Sequence, residues 1–159
     1  MMPADDKNIT PESGTVQSEE QVPALLHHQA SGLVKHTQAL ARLSVGAQQP
    51  DQTALIIATY LTAAAAIEAV LSETAHDCQP AIYTRAFRFS GIIDKYRLLM
   101  GGPPPDLLER IKYVRDSLTH SEPDNGRLGA AGNYMNTKDV AKAVEYVREL
   151  SDTVLRKFK

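Results

Sequence analysis

Cysteine, tryptophan and long uncharged stretches are all scarce in this chain. A single cysteine, Cys78, excludes an internal disulfide framework and any four-cysteine zinc site, and it suits a reducing compartment. There is no Trp and there are three Phe; aromatics make up 6% of the residues although 43% are hydrophobic. The core must therefore come from Ala, Leu, Ile and Val, which favours helices over a sandwich or barrel. The longest uncharged run, Gln52 to Ile67, is sixteen residues, short of the ~20 apolar residues that span a bilayer. It reads as a buried helix. The opening MMPADDKNITPESG lacks the basic start and apolar stretch of a signal peptide, so a cytoplasmic location and no membrane partner are expected.

What is present fits one domain of 159 residues, a length that buries roughly two-thirds of its unfolded surface without metals or disulfides. The net charge of −2 hides an asymmetry. Residues 1–20 hold five acids against Lys7 and include Pro3, Pro11 and Gly14. Such a segment cannot offset the entropy of ordering and is expected to be a disordered acidic tail, with the folded domain covering 21–159. From Tyr83 to Arg115 seven bases face three acids, a segment suited to an anionic partner.

Apolar spacing predicts four or five helices. Leu26, Leu33, Thr37, Leu40 and Ser44 recur at helical steps in a first helix ending near Val45. GAQQPDQ breaks it, and Asp51 is the expected N-cap of a second helix to about Ala75, with Ile57, Leu61, Ala64, Glu68, Leu71 and Ala75 on one stripe. Residues 80–100 read as a broken helix interrupted at Gly91, and GGPPP as a stiff connector. Asp106 opens a short helix whose face is Leu107, Leu108, Ile111, Val114 and Leu118. A turn-rich loop from Ser121 to Asn136 follows. Asn136 should then cap a final helix whose face starts with Val140, Ala143, Val144 and Val147 and extends to Val154, Leu155 and Phe158.

The chemistry concentrates in YVRDSLTHSEPDNG, Tyr113 to Gly126. Arg115 falls about 60° from Leu118, at the rim of the apolar face, and is only half solvated there. Asp116 and His120 are four apart, so the carboxylate could orient the imidazole. Arg115 and His120 would sit about 140° apart on a helix and converge only if the chain leaves helical geometry near Ser117 to Thr119. Together they provide a fork for phosphate and a group titrating near neutrality, a pair suited to phosphodiester chemistry. The ordinary alternative is an arginine paired with a carboxylate and a histidine at a helix end.

Arg115-Asp116-Ser117-Leu118-Thr119-His120 closes the penultimate helix of an all-helical layout, after a helix containing Ala66-Ile67-Glu68-Ala69. This resembles the HEPN family, whose signature is Arg, a polar residue, three variable residues and His. The layout matches over about residues 20 to 158, and the six motif positions are its specific part. The resemblance implies a helical bundle, usually a homodimer with the motif at the dimer cleft, and in many members a metal-independent endoribonuclease of toxin–antitoxin, phage-defence or CRISPR-associated systems. It assigns Arg115 and His120 as the catalytic pair and Asp116 as the accessory residue. A subgroup has Tyr two residues after the His; Glu122 stands there in this chain, against control by nucleotidylation of such a tyrosine.

Glu68 interrupts an apolar stripe, and a buried carboxylate needs a partner; Arg115 is the preferred one, and a position at the stripe's edge is the alternative. Arg85, Arg88 and Lys112 are candidate RNA-phosphate contacts, with Tyr96 available for stacking, while Phe87 and Phe89 read as core. No metal site is expected, since neither His27-His28 with His36 nor His76-Asp77-Cys78 gives a tetrahedral set. No cofactor is expected either: Gly101-Gly102 lacks the lysine and Ser/Thr of a phosphate-binding loop. The leading expectation is a ribonuclease with RNA, a second copy and a cognate antitoxin or defence partner. The alternatives are a non-catalytic dimerisation or regulatory module and an antitoxin-like binding partner. The alanine-rich second helix and the apolar rim beside Arg115 support the dimer.

Overall fold

A computed structural model describes residues 29–119 and 136–158. Among these residues the fold is all-α with no strand. Its six helices are α1 (Gln29–Gly46), α2 (Asp51–Cys78), α3 (Arg85–Arg88), α4 (Ile92–Met100), α5 (Asp106–Thr119) and α6 (Thr137–Lys157). The count exceeds five because the region around 80–100 divides into the single turn α3 and the separate α4. The expected acidic tail over residues 1–20, His27-His28, His120 and most of the expected loop after it lie outside the described residues.

Local chemistry explains most helix ends. The Asn136 side chain accepts a hydrogen bond from the Asp139 amide at 2.9 Å, capping α6 as its spacing predicts. Thr84 caps α3 by accepting from the Phe87 amide at 3.2 Å. Gly101 ends α4 at φ +75°, a left-handed conformation that glycine adopts without a Cβ penalty. Asp51 is not the N-cap of α2: it is the first helical residue, and Pro50 precedes it in the cap position. The Gln49 side chain covers that end instead, accepting from the Thr53 amide at 3.2 Å and its hydroxyl at 2.6 Å.

α2 is the central helix. It packs most extensively on α1 and also on α4, α5 and α6, while α6 closes against α1 and α5. Serving several neighbours turns its buried surface from the narrow stripe expected: Tyr60, Ala63, Ala66, Ile67, Val70 and Leu71 are buried, whereas Leu61 is exposed. Many of its alanines are thus used within the chain, where small side chains let helices approach closely. Length and composition also make α2 apolar enough to cross a membrane, because the helix continues well beyond the uncharged run. Here it forms the floor of the core. The apolar faces of α5 (Leu108, Ile111, Val114) and α6 (Val140, Ala143, Val144, Val147) are buried as their periodicity predicts. Phe158 is exposed, so the far end of the α6 stripe lies outside the core.

Candidate functional site

The last two turns of α5 carry a charged cluster. Asp116 Oδ1 accepts from Arg115 Nε at 2.9 Å and lies 2.9 Å from the second guanidinium nitrogen. Its other oxygen accepts from Lys112 Nζ at 2.8 Å. Arg115, 24% exposed, keeps a path to solvent. Burial pushes the Asp116 carboxyl up, but the hydrogen bonds and charges of Lys112 and Arg115 outweigh it, and the pKa lies below its ordinary value. The arrangement holds a guanidinium in place by its Nε edge and leaves other donors of the fork for an anionic group.

Both oxygens of Asp116 are engaged by bases on its own helix, and the imidazole it is expected to orient lies outside the described residues. The chain also does not leave helical geometry at Ser117 to Thr119: α5 runs through Thr119, whose hydroxyl donates to the carbonyl of Arg115 at 3.0 Å. His120 follows directly and lies outside the described residues. The expected convergence of Arg115 and His120 thus lies outside the described residues.

The expected Glu68–Arg115 pair is replaced by another. Glu68 Oε1 accepts from Lys95 Nζ at 3.0 Å, with the lysine side chain 3% exposed. The same ammonium lies 5.7 Å from the Phe87 ring centroid, a cation–π contact in a desolvated setting. Lys95 is a site residue that the sequence reading does not single out, and it sits between Ile92 and Leu99 on the buried face of α4. A lysine on an apolar stripe calls for an acid just as Glu68 called for a base. Gly91, which caps α4, lies beside Lys112, so the start of α4 adjoins the charged cluster of α5.

The remaining candidates separate. Arg85 and Arg88 are exposed, the first 5.7 Å from the Phe89 ring centroid and the second 5.8 Å from that of Tyr83. Phe87 is core as expected, but Phe89 is 79% exposed. Tyr96 is buried and unavailable for stacking; burial and the neighbouring Tyr146 hydroxyl raise its pKa. His76 Nδ1 lies 3.0 Å from Asp77 Oδ1 on the surface, and among the described residues no three His, Cys, Asp or Glu side chains converge to hold a metal. Comparison of the chain with protein-family models, curated proteins and solved structures finds no match.

Proposed function

We propose that the protein is a HEPN-like endoribonuclease, a toxin or defence effector that acts as a cytoplasmic homodimer on RNA without a divalent metal. The observation that carries this reading is the half-buried Arg115 guanidinium, fixed by Asp116 at the end of α5 and followed within five residues by His120. An arginine so held can stabilise charge on a phosphorane, and a histidine near it can move protons at neutral pH. The ribose 2′-hydroxyl attacks the adjacent phosphorus, its proton passes to a base, and the 5′-oxygen leaves with a proton from an acid. In a dimer the two copies of His120 supply these two roles. Lys112, Arg85 and Arg88 contribute positive charge along the RNA.

A second reading has its own support. Arg115 and Lys112 are both paired with Asp116 within α5, as expected of a helix-stabilising network in a non-catalytic helical module that binds protein partners. One experiment separates the two. Single-stranded RNA incubated with the protein in EDTA should yield 2′,3′-cyclic phosphate and 5′-hydroxyl ends, and a deoxyribose at the scissile position should stop the reaction. Loss of cleavage in EDTA with recovery in magnesium would overturn the mechanism. Full activity in His120→Ala would overturn the site.

A further inference from the structure

Between Tyr83 and Gly91 the chain carries three aromatic rings, two arginines and no acid. Phe87 takes the inner side of the α3 turn, and Arg85, Arg88 and Phe89 are left exposed. At 79%, Phe89 is more exposed than any other large hydrophobic side chain among the described residues. It ends α3 in an ordinary backbone conformation, φ −95° and ψ 5° or less from zero, that any residue adopts. Nothing in the local fold asks for a phenyl ring there, and holding one in water is unfavourable.

The arginines beside it are uncommitted. Neither Arg85 nor Arg88 pairs with an acid among the described residues; each lies against a ring instead, Arg85 on Phe89 and Arg88 on Tyr83. Tyr83 is itself braced by Phe87 and by the edge of His76, so the turn presents its cations from a fixed base. The surface also adjoins the α5 cluster. At most ~7 Å of chain separates the Cα atoms of Phe89 and Gly91, and a methyl group on Gly91 would lie 3.9 Å from Lys112 Cε. Lys112 and Arg115 share Asp116, so cations continue from the α3 turn to the candidate site. A small anion would leave the phenyl ring unused. Single-stranded nucleic acid uses ring and cations together, because guanidinium groups pair with phosphates and an unpaired base stacks on the ring. A duplex keeps its bases stacked on one another.

We propose that the α3 turn selects single-stranded RNA for the site on α5, with an unpaired base stacked on Phe89 and neighbouring phosphates paired with Arg85 and Arg88. The choice of RNA rests on the ribonuclease reading, and Phe89 is then a specificity-determining residue of that reaction. Stacking is tolerant of base identity, since every base has a π-face. The turn therefore separates unpaired from paired strands and not one sequence from another.

The test is fluorescence anisotropy on the full chain with a single-stranded 2′-deoxy oligonucleotide, which 2′-hydroxyl attack cannot cleave. It should bind more tightly than a hairpin duplex of the same composition. Phe89→Ala should weaken it about tenfold, Phe89→Tyr should retain it, and neither exposed change should lower the melting temperature. An oligomer of abasic units should bind the wild type and Phe89→Ala alike. Arg85→Gln and Arg88→Gln should each flatten the slope of log affinity against log salt by about 0.7, one phosphate contact apiece. Unchanged binding in Phe89→Ala, or the same loss for the abasic oligomer, would overturn the proposal. Poly-L-glutamate bound as tightly, with the same dependence on Phe89, would assign the surface to an acidic protein instead. Parallel cleavage assays on RNA keep the two readings apart. Cleavage with undiminished kcat/KM in Phe89→Ala sinks this proposal alone, and Phe89-dependent binding without cleavage sinks the ribonuclease alone.

Discussion

Lys95 Nζ sits 3.0 Å from Glu68 Oε1, so the acid that interrupts the apolar surface of α2 is matched by a base that interrupts that of α4. The two ends of this pair differ in exposure: Lys95 is enclosed, whereas Glu68 retains access to water. Removing the acid strands a buried ammonium, and removing the base leaves a carboxylate that water can solvate.

The first prediction follows from this asymmetry. Glu68→Gln keeps an oxygen that accepts from Nζ but removes the compensating charge from a buried ammonium, and should destabilise the fold by about 1–3 kcal/mol. Lys95→Met keeps the apolar stem beside Phe87 and should cost less, under about 1.5 kcal/mol. The double variant should be less destabilised than the sum of the singles, because no charge is then stranded. Urea unfolding of the four proteins checks it; additive costs would mean that the pair is not coupled.

Asp116 supplies the second prediction, with a defined sign. Its folded-state pKa lies below the ordinary value because Lys112 and Arg115 outweigh the effect of burial. Its contribution is therefore present above the unfolded pKa of about 3.9 and is lost as pH falls through the lower folded value. Asp116→Asn should cost about 1 kcal/mol near neutrality. The gap between the variant and the wild type should close as the wild-type carboxyl protonates. A gap that stays constant across the acid range in urea titrations would show that the charge of Asp116 is not what matters.

How far the sequence was legible depends on the range of the interaction. The Asn136 cap and the faces of α5 and α6 follow from residues within a few positions of one another, and they were readable. The apolar stripe marks Glu68 as a carboxylate needing a base, but periodicity states only which face of a helix a residue occupies. Which neighbour meets that face is set by tertiary packing, and α4 meets Glu68 with Lys95 where Arg115 was expected. Leu61 fails for a related reason: α2 contacts four helices, so its buried arc is set by Tyr60, Ala63 and Ile67 together. Phe89 shows that an aromatic next to a buried one can still face water.

The third prediction is local. Asn136→Ala removes the acceptor for the Asp139 amide and should destabilise the protein by about 1 kcal/mol, whereas Asn136→Asp should stay within a few tenths of wild type. Thermal unfolding monitored by circular dichroism gives the comparison. Equal loss in both variants would point to a packing role for the side chain rather than a cap.

The last prediction concerns how Arg115 would serve the proposed reaction. Its Nε edge is held by Asp116, and catalysis then relies on the remaining donors of a planar fork rather than on charge alone. Arg115→Lys keeps the charge but loses the fork, so RNA cleavage should fall by about 10²–10³, the usual effect of removing a donor aimed at developing negative charge. Asp116→Asn leaves an amide oxygen that can still accept from Nε, and cleavage should remain within about tenfold of wild type. His120→Ala should lose about 10²–10⁴ through proton transfer. The measurements are single-turnover rates on one RNA in EDTA, with helical circular dichroism recorded for each variant to establish folding. Arg115→Lys cleaving at the wild-type rate would leave Arg115 a charge-balancing partner of Asp116 and favour the non-catalytic reading. A loss in Asp116→Asn as large as that in His120→Ala would move the carboxylate from holding the arginine to the reaction itself.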